Sequence, residues 1–283
     1  TDCAIPLIRG KFRSVPMEEL LKEAETLASY GVTELNIIAQ DTTRYGEDLY
    51  GENKLPELLT KLCQIDGLRW IRVLYCYPER ITDELIEVMA REDKIVKYID
   101  LPIQHCNDDI LKCMNRPSTN AKLREVIGRL RAAMPNIVIR TTLITGFPGE
   151  TEEQFTELAE FVQEMRFERL GCFAYSQEDG TKAVAFPDQL DEETKAHRAD
   201  IIMEQQMDIS ASYNERQLDT IKTAVVEGFD KWAECYFGRT EADAPDIDGK
   251  VFFTSEHPLR LGDYVNIHIT DTMDYDLMGE VVE

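Results

Sequence analysis

The chain has 283 residues, 43% of them hydrophobic, and a formal net charge of −23. This length allows one large and one small domain, and no apolar run approaches the roughly 20 residues of a membrane-spanning helix. The negative charge argues against DNA or RNA as the main partner, because phosphate binding needs basic surfaces, and it favours a basic protein. The 7 cysteines are odd in number and scattered, and no signal peptide is recognisable, so we expect a reduced, cytoplasmic protein.

Residues from about 17 to 216 alternate between helical and strand patterns. In chain order the sequence predicts helix 17–30, strand 34–39, helix 56–65, strand 70–75, helix 83–90 after an N-cap at Thr82, strand 98–104, helices 107–114 and 120–133, strand 137–144, helix 151–165, strand 170–175 and helix 190–218. This alternation predicts an α/β domain built on a parallel sheet, either most of a barrel or an open sheet. Functional side chains are then expected on the loops that follow the strands.

The pattern changes after about residue 217. Five short β-rich runs predict a small antiparallel barrel, at 223–226, 232–237, 250–253, 264–269 and 277–282. Residues 217–283 hold 15 acidic and 5 basic residues. We therefore predict two domains, 1–216 and 217–283, of which the second is strongly acidic. Trp232, Tyr236 and Phe237 are expected in the barrel core, since few basic residues accompany them for nucleic-acid stacking.

Several stretches carry a resemblance to a known family. They are 39–43 (AQDTT), 146–150 (GFPGE), 238–249 and 274–280, together with the short run that ends at Cys3. They resemble the radical-SAM methylthiotransferases, and within that family the RimO type more than the tRNA-modifying MiaB type. The resemblance covers essentially the whole chain. It implies a partial (β/α) radical-SAM barrel over 1–216, without its first strand, followed by a TRAM barrel over 217–283.

The resemblance also implies an iron–sulfur cluster. Cys3 matches the third cysteine of the family's CxxxCxxC motif, and thiolates of that kind hold a [4Fe–4S] cluster. A second cluster is implied in an N-terminal domain of the intact family protein. One thiolate is too few to hold a cluster, so this chain alone is expected to be inactive. Asp2 departs from the family pattern, in which an aromatic residue usually precedes this cysteine.

Nine residues are implied to contact S-adenosylmethionine. They are Gln40, Asp41, Gln104, His105, Arg140, Thr142, Gly146, Tyr175 and Ser176. Some have structural alternatives, because Asp41 could cap a turn, His105 could be structural and Tyr175 could be core. Strand alternation places Arg140 on the inner face of the sheet, where an arginine needs a carboxylate partner such as the cofactor. Glu150 is expected to cap the helix that follows it.

The activity implied by the resemblance is methylthiolation of the β-carbon of an aspartate on small-subunit ribosomal protein S-twelve, with an electron donor as a further partner. The acidic barrel is expected to dock this basic protein through Asp243, Asp246, Asp248, Asp274 and Asp276. A tRNA methylthiotransferase is the nearest alternative, although its barrel should be basic in order to meet phosphates. The second alternative is a module without a cluster that only docks on a ribosomal protein.

Overall fold

The larger part of the molecule is a five-stranded parallel sheet with helices packed on one face. The computed structural model describes residues 5–282, apart from the side chains of Pro6 and Leu7. The strands, in sheet order, are β1 (Glu34–Ile37), β2 (Trp70–Val73), β3 (Ile95–Asp100), β4 (Val138–Thr145) and β5 (Arg169–Ala174). The helices are α1 (Ile5–Arg9), α2 (Met17–Ser29), α3 (Glu47–Tyr50), α4 (Leu55–Leu62), α5 (Asp83–Arg91), α6 (Asp108–Cys113), α7 (Asn120–Ala133), α8 (Glu152–Met165) and α9 (Glu192–Glu215). The predicted parallel α/β architecture is confirmed.

Hydroxyl side chains fix where two of these helices begin. The side chain of Thr82 accepts the N–H of Leu85 at the start of α5, as predicted. At α8, the Thr151 hydroxyl accepts a hydrogen bond from the Gln154 N–H, and Oε1 of Gln154 accepts one from the Thr151 N–H. Both caps satisfy backbone donors that the first helical turn leaves free. No helix within the described residues is both long and apolar enough to cross a membrane.

The smaller part is a closed barrel of five strands. They are β6 (Ile221–Asp230), β7 (Cys235–Thr240), β8 (Val251–Thr254), β9 (Tyr264–Thr272) and β10 (Leu277–Val282). The ring order is β10-β8-β7-β6-β9, and four of its five pairings are antiparallel. The predicted small antiparallel barrel is thus confirmed, with one parallel pairing, that of β10 with β8. A closed ring with an odd number of strands cannot alternate direction throughout, so one pair must run parallel.

Trp232 does not lie in the barrel core, and that prediction was wrong. The residue is 98% exposed, because it falls in the turn between β6 and β7 rather than in a strand. Its backbone N–H donates to Oδ1 of Asp230 at 2.8 Å, which helps to reverse the chain before β7 begins at Cys235. Tyr236, the next aromatic residue, does pack against the buried barrel core.

The barrel packs on the sheet face that the helices leave free. Ile71 and Ile99 belong to the core beneath the helices, whereas Trp70 and Tyr98, one residue earlier in each strand, belong to a second cluster that includes Val225 of the barrel. Successive side chains of a strand point to opposite faces, so the barrel occupies the inner face.

Candidate functional site

A cavity of about 290 Å³ opens on the inner face of the sheet, toward the ends of the strands. Four of the nine predicted cofactor contacts line it together: Gln40, Gln104, Arg140 and Thr142. Gln40 and Gln104 follow β1 and β3, and the other two lie on β4. The rest of the lining consists of Leu74, Tyr75, Tyr77, Asp100, Pro102, Arg116 and Ile247. Sequence reasoning therefore placed four of its candidates on one wall.

Two residues in this wall have a strained backbone. Tyr75 has φ 57° and Gln104 has φ 69°, a left-handed conformation that is uncommon for residues other than glycine. The Tyr75 N–H donates to Oδ2 of Asp100 at 3.0 Å. The Gln104 N–H donates to the Thr142 carbonyl at 2.9 Å, and the Gln104 carbonyl accepts from Ile144 at 2.8 Å. Strain held by such bonds is typical of ligand-binding sites.

Arg140 has the carboxylate partner that was predicted, but the protein supplies it. Its Nη1 lies 2.8 Å from Oδ1 of Asp100, and its Nε lies 3.6 Å from Oδ1 of Asp248 in the barrel. Burial acts to lower the pKa of Arg140, but the neighbouring acids outweigh it and the pKa is raised. Its side chain remains 19% exposed in the cavity wall, so Arg140 presents a donor whose orientation two carboxylates fix.

His105 is structural in this fold, and its predicted contact with a cofactor is corrected. The residue has no exposed surface. Its Nδ1 accepts the Asn107 N–H at 3.0 Å, and its Nε2 lies 3.3 Å from Oε2 of Glu150. Both ring nitrogens thus face groups of the protein, and neither is available to a ligand.

Glu150 is the centre of this buried group and not the helix cap that was predicted, since Thr151 caps α8. Its Oε1 accepts from the Gly146 N–H at 3.0 Å and from Arg198 at 2.7 Å. Burial acts to raise the pKa of Glu150, but the bonds from His105, Gly146 and Arg198 dominate and lower it. The network ties the loop after β4 to α9, which carries Arg198.

Gly146 is also structural. Its φ is +71°, and a Cβ there would lie 2.1 Å from Cγ and 3.1 Å from Cα of Lys195. The Gly146 N–H is bonded to Glu150, and α9 packs against the side of Gly146 that lacks a side chain. Gly146 is therefore buried and leaves no backbone surface for a ligand. The predicted ligand approach at Gly146 is therefore corrected, and the glycine is needed so that α9 can pack closely.

Alanine variants of two glycines distinguish packing from backbone strain. Gly149 has φ +81° but nothing within 4 Å of an added Cβ. Gly149→Ala is expected to cost about 1–2 kcal/mol through left-handed strain alone. Gly146→Ala should lose about 1–3 kcal/mol more, because the added methyl overpacks the contact with Lys195. Urea denaturation of the two variants measures the difference, and equal losses would contradict this role for Gly146.

The remaining cofactor candidates lie elsewhere. Tyr175 is buried, with its ring 5.4 Å from that of Phe147 in an edge contact, so its predicted cofactor contact is corrected and its core alternative holds. Ser176 is exposed just beyond β5. Asp41 is buried, accepts the Thr43 hydroxyl and lines a separate groove beside α2; burial raises its pKa against the opposing effects of Thr43 and Arg80.

Two of the five barrel acids predicted to dock a partner are buried. Asp243 is 3% exposed and pairs with Arg169 at 2.7 Å. Asp248 accepts from the Tyr98 hydroxyl at 2.6 Å, with only 4% of its side chain exposed. Both bind the sheet domain, and their assignment to a docking surface is corrected. Asp246 and Asp274 are exposed, and Asp276 is half-buried.

Sequence reasoning missed several residues of the cavity, among them Asp100, Tyr75 and Ile247. Asp100 was detectable, because it is the one acid in the otherwise apolar second half of its strand. Tyr75 depends on a left-handed backbone that no local pattern signals. Ile247 comes from the barrel and reaches the cavity only through the packing of the two domains. Cys3 lies outside the described residues, and those that are described contain no cluster of three or more potential metal ligands.

Family models match both parts of the chain. The model described as the radical SAM superfamily matches residues 3–162, and the TRAM domain model matches residues 220–282. The first match covers more than half of the 283 residues.

Curated relatives match the chain almost from end to end. Proteins named "Ribosomal protein uS12 methylthiotransferase RimO" are 51% identical in Desulforamulus reducens and 50% identical in Geobacter sulfurreducens. Each match covers 99% of this chain but only 64% and 63% of the respective relative. Among solved structures, coproporphyrinogen III oxidase from Escherichia coli matches with TM-score 0.49 and 16% identity, over 70% of this chain and 46% of that one. That likeness is too distant to add to the fold assignment.

Proposed function

This chain belongs to the radical SAM superfamily, and we propose that its parent protein is a methylthiotransferase acting on ribosomal protein uS12, the S-twelve protein of the small subunit. The reaction replaces a hydrogen on the β-carbon of an aspartate with a methylthio group. The observation that carries the proposal is identity of about half over both domains to relatives with that name. The chain spans about 64% of their length, so the activity is proposed for the parent protein.

The lining of the cavity fits S-adenosylmethionine. Two flexible amides, Gln40 and Gln104, suit its polar groups, and Thr142 and Arg140 add a hydroxyl and a fixed guanidinium. We assign these four residues to cofactor binding. Cys3, with two cysteines upstream of this chain, is proposed to hold a [4Fe–4S] cluster, and the relatives' further length leaves room for a second cluster. Bound together, cluster and cofactor supply radical chemistry and a methyl group.

A basic protein substrate agrees with the charge of the chain. The net charge of −23 attracts such a partner and repels a phosphate backbone. Because ribosomal proteins are cytoplasmic, we propose that the parent protein is cytoplasmic too. We also propose an electron donor as a partner, because the cluster has to be reduced. We propose residues 1–216 as the radical-SAM domain and residues 217–283 as the TRAM domain.

The test uses the full-length protein, loaded anaerobically with iron and sulfide and given S-adenosylmethionine and a reductant. Mass spectrometry of uS12 should show one aspartate carrying a methylthio group in place of one hydrogen. Full-length Cys3→Ala is the control and should give no product. Modification of tRNA instead would support the MiaB-type alternative. Binding of uS12 without modification would support the docking module.

A further inference from the structure

We propose that a cleft between β5 and the barrel receives an extended, lysine- or arginine-rich segment of the substrate protein. This interdomain cleft has a volume of about 450 Å³. Its lining comes from the sheet, from α9 and from two loops of the barrel: Arg140 of β4, Arg169, Leu170, Gly171 and Phe173 of β5, Met203 and Ser210 of α9, and Ile247, Asp248, Gly249, Tyr275 and Asp276 of the barrel. The inference rests on the proposed function and names the surface that uS12 would use.

The cleft adjoins the cavity that holds the cofactor candidates. Arg140 and Ile247 line both. A chain segment lying in the cleft would therefore lie next to the cavity, within reach of it for one of its side chains. A docking surface elsewhere on the barrel would not present its occupant to this cavity.

Large apolar side chains are exposed together at the cleft. Phe173 is 61% exposed, Ile247 52% and Tyr275 42%. Single exposed apolar residues are ordinary, whereas several around one concave surface are typical of a binding site. Two of the three are aromatic, and aromatic rings bind both aliphatic stems and the cationic ends of lysine and arginine.

The charges at the cleft select a basic occupant. Its two arginines are already neutralised, Arg169 by Asp243 and Arg140 by Asp100. Asp246 and Asp274, exposed in the two barrel loops beside it, have no ion-pair partner in the described structure, and Asp276 adds a third carboxylate. The uncompensated charge is therefore negative and matches a lysine- or arginine-rich segment.

The opposite end of the barrel provides a matched comparison. The loops that carry Asp246 and Asp274 precede β8 and β10, whereas the β6–β7 turn and the loop after β8 lie at the other end. Trp232, Glu234 and Glu256 are exposed there. This end is also apolar and acidic, but it is remote from the cavity.

Paired charge removals test the proposal by binding rather than activity. Asp246→Asn with Asp274→Asn removes two charges at the cleft, and Glu234→Gln with Glu256→Gln removes two at the other end. Association of the full-length protein with purified uS12 is followed by stopped flow at two salt concentrations. The cleft pair should weaken binding roughly fivefold at low salt, because it removes two exposed charges that attract the basic partner. The control pair should change it less than about twofold.

Apolar variants give a second measurement. Phe173→Ala should speed dissociation of uS12 independently of salt, and Trp232→Ala should not. Equal effects of the variants at both ends would contradict the assignment of uS12 to the cleft. The attraction of uS12 would then come from the electrostatic field of the whole barrel, and the proposed function would still stand. Failure of the wild-type protein to bind uS12, with tight binding of tRNA, would overturn the proposed function and this inference with it.

Discussion

Asp243→Ala is expected to lower the free energy of unfolding by about 3–5 kcal/mol, as is typical when one partner of a buried ion pair is removed. Asp243 accepts from Nη2 of Arg169 at 2.7 Å and from the Thr240 hydroxyl at 2.7 Å. Arg169 has 8% of its side chain exposed, so water cannot replace the lost carboxylate. Urea denaturation measures the loss, and the barrel should detach from the sheet more easily.

Two variants serve as controls for this prediction. Asp274→Ala changes an exposed aspartate of the same barrel and should shift stability by no more than about 0.5 kcal/mol. Adding Arg169→Met to Asp243→Ala should recover much of the loss, because an apolar pair often replaces a buried ion pair at little cost. If Asp243→Ala cost no more than Asp274→Ala, Asp243 would not fasten the two domains together.

Part of the acidity of the barrel is thus structural. Arg239 of the barrel pairs with Glu34 of β1 at 2.7 Å, and Arg72 of β2 contacts the same glutamate at 3.2 Å. With the Arg169–Asp243 pair, these contacts fix the barrel against the inner face of the sheet. The net charge of the barrel therefore overstates what is available to a partner, and the exposed acids beside the cleft matter more than the total.

Local patterns predicted the elements of the fold well. The strand at 138–145 is rich in β-branched residues, as a strand should be, and its residues alternate between buried and half-buried from Ile139 onward. Thr82 and Thr151 cap their helices as their positions indicate. Because parallel strands end at one edge, the polar residues that follow them were expected together. Gln40 and Gln104 do meet in one cavity.

Long-range pairing was beyond local patterns. Whether Asp243 is exposed depends on an arginine 74 residues earlier in the chain, which meets it only after the barrel docks. His105 and Glu150 are likewise brought together by the sheet. The sequence pattern suggested that His105 lines the cofactor site and that Glu150 caps a helix, but both side chains are buried. Because they are buried together, they matter for the stability of the fold.

Glu150→Gln is expected to cost about 3–5 kcal/mol at neutral pH, since it leaves the buried Arg198 without its closest carboxylate. The pKa of Glu150 is lowered in the folded protein from its ordinary value of 4.5. A carboxyl of this kind stabilises the fold above its unfolded pKa, and the stabilisation is lost as the pH falls through the folded pKa. The difference in the free energy of unfolding between wild type and Glu150→Gln should therefore be largest at pH 7 and should decrease below about pH 4.5.

Glu152→Gln is the matched control, because Glu152 binds the same arginine at 3.0 Å from a position with 74% of its side chain exposed. Glu152→Gln should lower the free energy of unfolding by less than about 1 kcal/mol, as is typical of surface ion pairs. Urea denaturation from pH 7 down to about pH 3 compares the two variants with wild type. A cost for Glu150→Gln that stays constant over this range would mean that its charge is not what holds the loop after β4 to α9. In that case shape alone, as at Gly146, would account for the close contact between them.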